Sequence, residues 1–113
     1  MSSITKIEIY SAIGSKIKEY RVKNNMTQEE LAEKLNISVK YVSRIENGNG
    51  GVKLETLINA MNLLGLVPNI AFFDLIKNDE LKLQLFLSSK VSELSNDKIE
   101  FLLSLIDSLK KLD

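Results

Sequence analysis

Two charges in this chain stand where charges are costly. Arg21 follows Ile17 by four residues and Glu46 follows Val42 by four, so on helices each side chain projects toward a core that disfavours an unpaired ion. Being opposite in sign, the two are expected to meet as an internal ion pair; the alternative is that both snorkel to water. The rest of the reactive repertoire is narrow. The chain has no cysteine and no histidine, which leaves no disulfide, thiolate nucleophile, imidazole acid-base pair or zinc site of the usual ligand types. Asp74, Asp79 and Glu80 read as helix-end and loop acids rather than metal ligands. No carboxylate pair and no phosphate-binding glycine loop is evident, so the expectation is a protein without enzymatic activity, cofactor or metal.

The elements that must position these residues follow from periodicity and from the turn residues. From Ile9 to about Asn24 the apolar residues Ala12, Ile13, Ile17 and Tyr20 recur at helical spacing, and Asn24 and Asn25 end the run. Thr27 then precedes QEELAEKL, with Glu30 three residues on. That spacing forms a capping box, in which side chains satisfy amides left unpaired at a helix start. The second helix extends only to about Leu35, because Asn36 tolerates the left-handed conformation of a tight turn and Ser38 caps another helix. A third helix is predicted from Val39 to Asn47, followed by an open loop at Gly48, Gly50 and Gly51. Leu54, Leu57, Ile58, Met61 and Leu64 then mark an amphipathic fourth helix that Gly65 can cap.

Beyond Pro68 the pattern changes. NIAFFDLI is a short apolar helix candidate. Asp79 to Leu94 is read as a longer helix, although its LKLQLFL also alternates like a strand. Ser95 caps a final helix in which Ile99, Leu102, Ile106 and Leu109 follow a heptad-like spacing, widened by Leu103 and Leu105. Such broad leucine faces exceed what a lone helix buries, and they point to an oligomer interface; the alternative is that these helices fold back on their own domain.

Length and charge bound the whole. In 113 residues, 44% hydrophobic and 27% charged, there is room for one independent core and a small second element that needs a partner. The expected division is residues 1–78 and 79–113. Net charge is zero, but the segment up to Pro68 carries nine Lys and Arg against seven Glu, and the remainder six Lys against eight Asp and Glu. So slight an asymmetry decides little, because a neutral domain can still present a basic face. The start, MSSITKIEIYS, has no long apolar segment, and no apolar run approaches the ~18 residues that span a bilayer. A cytoplasmic protein without membrane contact is expected.

The second and third helices, joined by so short a turn, must cross steeply. A small residue is required where they approach, which Ala32 supplies, and Leu31, Ile37, Val42 and Ile45 form the shared core. Such a pair holds its second helix outward. That helix fits a major groove about 12 Å wide, its first residues reaching base edges while its amide dipoles face phosphate.

The stretch from Ile13 to Leu66, with IGSKIKEYR, TQEELAEKL, ISVKYVSRIENG and LETLINAMNLLG in order, resembles the Xre family of helix-turn-helix regulators, the group that contains the phage repressors and Cro. About half of the chain is covered. Asn36 sits where the family often has glycine, and Asn49-Gly50-Gly51 stands where a basic or proline-containing segment is frequent. The resemblance implies an all-α fold: a five-helix repressor-like DNA-binding domain followed by a C-terminal helical extension. Its pattern places Val39, Lys40, Ser43 and Arg44 on the groove-facing side of the third helix as base readers. Gln28 and Ser38 match positions that bind phosphate through side chain and amide, with Asn47 and Lys53 as weaker phosphate candidates. For Lys40 and Arg44 the plainer reading is a solvated face, but Val42 and Ile45 already fill the opposite side. For Gln28 and Ser38 it is simple capping. The family's matching Arg and Glu join its first and third helices, which implies the same for Arg21 and Glu46. The implied function is a regulator that binds double-stranded DNA as a homodimeric repressor. The alternative is an antitoxin of Xre type, its C-terminal helices binding a protein partner.

Overall fold

The computed structural model describes residues 3–112; residues 1, 2 and 113, the outer ends of the two expected domains, lie outside them. Seven α-helices and one short 3-10 turn make up the regular structure, with no strand among the described residues. They divide into two compact units, one ending at Lys77 and the other beginning at Asn78.

In the first unit, α1 (Lys6–Lys23) starts earlier than the apolar spacing suggests. Thr5 is the reason: its hydroxyl oxygen accepts from the Glu8 amide at 3.2 Å, a cap that starts the helix ahead of its first buried residue. Asn24 closes α1, and its side-chain amide donates to the carbonyls of Tyr20 and Leu64. α2 (Gln28–Leu35) opens with both halves of the capping box, Glu30 amide to Thr27 hydroxyl at 3.1 Å and Thr27 amide to Glu30 carboxylate at 3.2 Å. Asn36, at φ 55°, turns the chain in the left-handed region, where its short polar side chain is better tolerated than most. α3 (Val39–Glu46) follows at once and ends one residue earlier than expected, with Asn47 as its cap. α4 (Leu54–Leu64) ends at Gly65, φ 70°. Pro68, whose fixed φ suits a first helical turn, opens α5 (Pro68–Phe72), and a 3-10 turn (Phe73–Leu75) finishes the unit.

One core holds this unit together. Ile13 and Ile17 of α1, Leu31 and Ala32 of α2, Val42 and Ile45 of α3 and Leu57 and Leu64 of α4 are all buried, with Leu66 and Ala71 closing the far side. α1 packs on α3, α4 and α5, and α2 packs on α3 and α4. α1 and α3 approach closely at Gly14, where an added Cβ would run into the Ile45 carbonyl. A glycine inside a helix costs about 1 kcal/mol relative to alanine, and here it lets the two backbones touch.

The second unit contains α6 (Asp79–Ser92), capped by the Asn78 side chain, and α7 (Asn96–Lys110). Ser95 stands at the cap position of α7 but its side chain makes no capping bond, contrary to expectation. No described residue of this unit is buried. Leu83, Leu87, Phe101, Leu103 and Leu109 are each more than half exposed.

Candidate nucleic-acid interface

α3 is set by opposing demands on its two faces. Val42 and Ile45 are driven into the core, at 1% and 4% exposure, and this fixes the helix's rotation so that Val39, Lys40 and Arg44 point outward. Its one carboxylate, Glu46, is turned inward, with no side-chain exposure. The outward face therefore carries cations and no acid.

Glu46 is neutralised from α1. Arg21 donates through Nε to Oε2 at 2.7 Å and through Nη2 to Oε1 at 3.0 Å, a two-pronged bond that suits the planar guanidinium. Its Nη1 donates to the Met26 carbonyl at 2.7 Å, in the turn before α2. The Glu46 hydrogen bond, ahead of the opposing effect of burial, raises the pKa of Arg21 above its ordinary value. No buried side-chain nitrogen or oxygen among the described residues lacks a partner. A third group joins from α2: Gln28 Nε2 donates to Glu46 Oε1 at 3.1 Å. Capping was the plain alternative for Gln28, but Thr27 and Glu30 do the capping and the Gln28 amide is tied to the ion pair. This bond was not anticipated from the sequence, where Gln28 and Glu46 are 18 positions apart without a shared periodicity.

Ser38 is exposed at the start of α3, its hydroxyl oxygen accepting from the Tyr41 amide at 3.0 Å. That bond leaves the hydroxyl proton free to donate. Ser38, Lys40, Tyr41 and Arg44 line a single open groove of about 270 Å³. Ser43 is half-buried and its oxygen accepts from Asn47 Nδ2 at 3.4 Å, which places the two side by side one turn apart. Lys53 lies off the helix, exposed at the cap of α4, and its backbone amide donates to the Tyr41 hydroxyl at 2.9 Å. The structure thus brings Ser38, Lys40 and Arg44 to one groove, sets Ser43 beside Asn47, holds Gln28 against the end of α3, and leaves Lys53 on the following loop.

Tyr41 is a residue that sequence reasoning passed over. Its ring lies 5.5 Å from the Arg44 guanidinium and its hydroxyl anchors the loop after α3. The one available signal was its spacing, three residues before Arg44 and so on an adjacent face of the helix. Among the described residues there is no group of three Asp, Glu, His or Cys that could hold a metal ion, and no helix is long and apolar enough to cross a membrane.

Comparison with known proteins matches this region. A helix-turn-helix family model covers residues 17–68. The control protein C.BamHI of Bacillus amyloliquefaciens is 35% identical over 71 residues, 61% of this chain and 88% of that one. The crystal structure of the wild-type restriction-modification controller protein C.Esp1396I superposes with a TM-score of 0.51 at 28% identity, covering 70% of this chain and 95% of that one. A tyrosine-to-phenylalanine mutant of the same controller gives 0.51 at 26% identity, covering 77% and 96%. Family, fold and site geometry agree: the chain belongs to the Xre-like helix-turn-helix family of DNA-binding transcription regulators.

Proposed function

We propose that this regulator is a dimeric repressor that acts as the control protein of a restriction-modification locus, in the cytoplasm and without catalytic activity. The observation that carries the DNA-reading part is the outward face of α3, where Lys40 and Arg44 stand with no carboxylate while Glu46 is buried and paired. Arg44 can make two bonds to a guanine edge, and Lys40, one turn earlier, can donate to guanine O6 and N7. Val39 and Ser43 complete the base-reading set. Ser38 and Gln28 at helix starts, with Asn47 and Lys53, position the protein on phosphate without sequence preference. The control-protein role rests on relatives matched over nearly their whole lengths. They favour it over the antitoxin reading.

For the dimer, support comes from α6 and α7, in which no described residue is fully buried and which expose a broad leucine and phenylalanine surface. Two copies of the reading helix on half-sites one helical turn, about 34 Å, apart would then share one symmetric site. The test is binding by Arg44→Ala across a panel of single-base operator variants at one fixed salt concentration. A loss of preference confined to one base pair per half-site, worth roughly 1 to 3 kcal/mol, is expected. Unchanged preference refutes the assignment.

A further inference from the structure

Arg44 is bordered by an aromatic ring and a glycine rather than by a carboxylate. No carboxylate among the described residues forms an ion pair with it. The Tyr41 ring lies 5.5 Å from the guanidinium. The arginine stem also runs close to the loop after α3 at Gly50: a Cβ there would stand 3.2 Å from Nε, 3.4 Å from Cδ and 3.6 Å from Cγ. A side chain at position 50 would thus press on Arg44 and displace it by a few tenths of an ångström or more.

The loop is itself fixed at several points. At its start the Gly48 amide donates to the Ile45 carbonyl and the Asn49 amide to the Arg44 carbonyl. At its end the Lys53 amide donates to the Tyr41 hydroxyl. Between them, Gly51 lies against the Tyr10 ring of α1, where a Cβ would come within 3.0 Å of Cε1. Tyr41 and Gly50 therefore both border the Arg44 side chain, the first from α3 and the second from the loop whose end the Tyr41 hydroxyl holds at Lys53.

We infer that Gly50 is a specificity-determining position: by lacking a side chain it sets the direction in which Arg44 leaves α3, and so which base edge the guanidinium meets. This rests on the reading of Arg44 as a base reader. A long side chain whose direction is restricted before binding loses less freedom on binding, so these two contacts add to discrimination as well as to geometry. Gly50 does not have the left-handed φ of Gly48 and Gly65, so alanine there is free of backbone strain and its effect falls on the arginine.

The experiment compares wild type, Gly50→Ala, Arg44→Ala and the double variant on a panel of single-base operator duplexes, with thermal melts of all four. Arg44→Ala should abolish discrimination at one base pair per half-site, a loss of roughly 5- to 150-fold. Gly50→Ala should weaken discrimination at that same base pair by part of the factor lost in Arg44→Ala, leave the melting temperature within about two degrees of wild type, and change nothing further in the Arg44→Ala background. If Arg44→Ala abolishes the preference and Gly50→Ala leaves it intact, Gly50 does not aim the arginine and the base reading stands. If Gly50→Ala lowers the melting temperature alike in both backgrounds, the glycine serves the loop's folding and the inference fails. If Arg44→Ala leaves every preference unchanged, the base reading fails and this inference with it.

Discussion

Replacing Arg21 with methionine removes the partner of a wholly buried carboxylate. Glu46 has no side-chain exposure, and three of its hydrogen bonds come from two donors, Arg21 and Gln28. Without Arg21 only the Gln28 amide remains, and the Met26 carbonyl also loses its donor. Breaking one side of a buried pair costs about 3 to 5 kcal/mol, because the surviving charge stays desolvated. In a domain of this size each kcal/mol lowers the melting temperature by roughly 4 to 8 °C, so Arg21→Met should melt at least about 12 °C below wild type. The double variant Arg21→Met with Glu46→Leu removes both ions and fills their space. It should lose far less, about 1 to 2 kcal/mol, for the unpaired Met26 carbonyl and Gln28 amide. Equilibrium urea unfolding of the two single variants and the double closes the cycle. Small, additive losses would mean that neither ion depends on the other and that the pair is not coupled.

Three further outcomes follow from the geometry. Gly14→Ala should destabilise by about 1 to 3 kcal/mol, because the added methyl meets the Ile45 backbone carbonyl and outweighs the ~1 kcal/mol helix preference of alanine. Urea unfolding that shows a stabilised variant would place α1 and α3 further apart than described. A chain ending at Asn78 should stay folded, since every core residue precedes that point, and should scatter light as a monomer with weakened operator binding; a truncated chain still dimeric at micromolar concentration moves the interface to the DNA-binding unit, where Leu54 and Ile58 are exposed. Gln28→Ala should weaken binding about equally across operator variants and also cost about 1 kcal/mol of stability for the lost bond to Glu46. A base-selective loss in the duplex panel would contradict its assignment to phosphate.

What could be read from the sequence was whatever local rules decide. Thr27 and Glu30 announce a capping box, Asn36 a left-handed turn and Pro68 a helix start, because each acts on amides within four residues of itself. The spacing of Arg21 from Ile17 and of Glu46 from Val42 shows which face each charge occupies, since helical period alone sets it. Contacts that join distant segments left weaker traces. Gly14 reads as a flaw in α1 until Ile45 is brought against it. The bonds from Gln28 to Glu46 and from the Lys53 amide to Tyr41 depend on how the helices cross, which periodicity does not encode. Ser95 shows the converse: a good capping residue at a helix start need not form the bond.

Whether α3 reads base sequence in duplex DNA is decided by selecting bound sites from a random pool of duplexes. The expected result is enrichment of a short element repeated about a dyad, its half-sites about 10 base pairs apart centre to centre, each with a guanine whose preference disappears when the selection is repeated with Arg44→Ala. A pool that stays random after repeated rounds, or the same enriched element with and without Arg44, would contradict it.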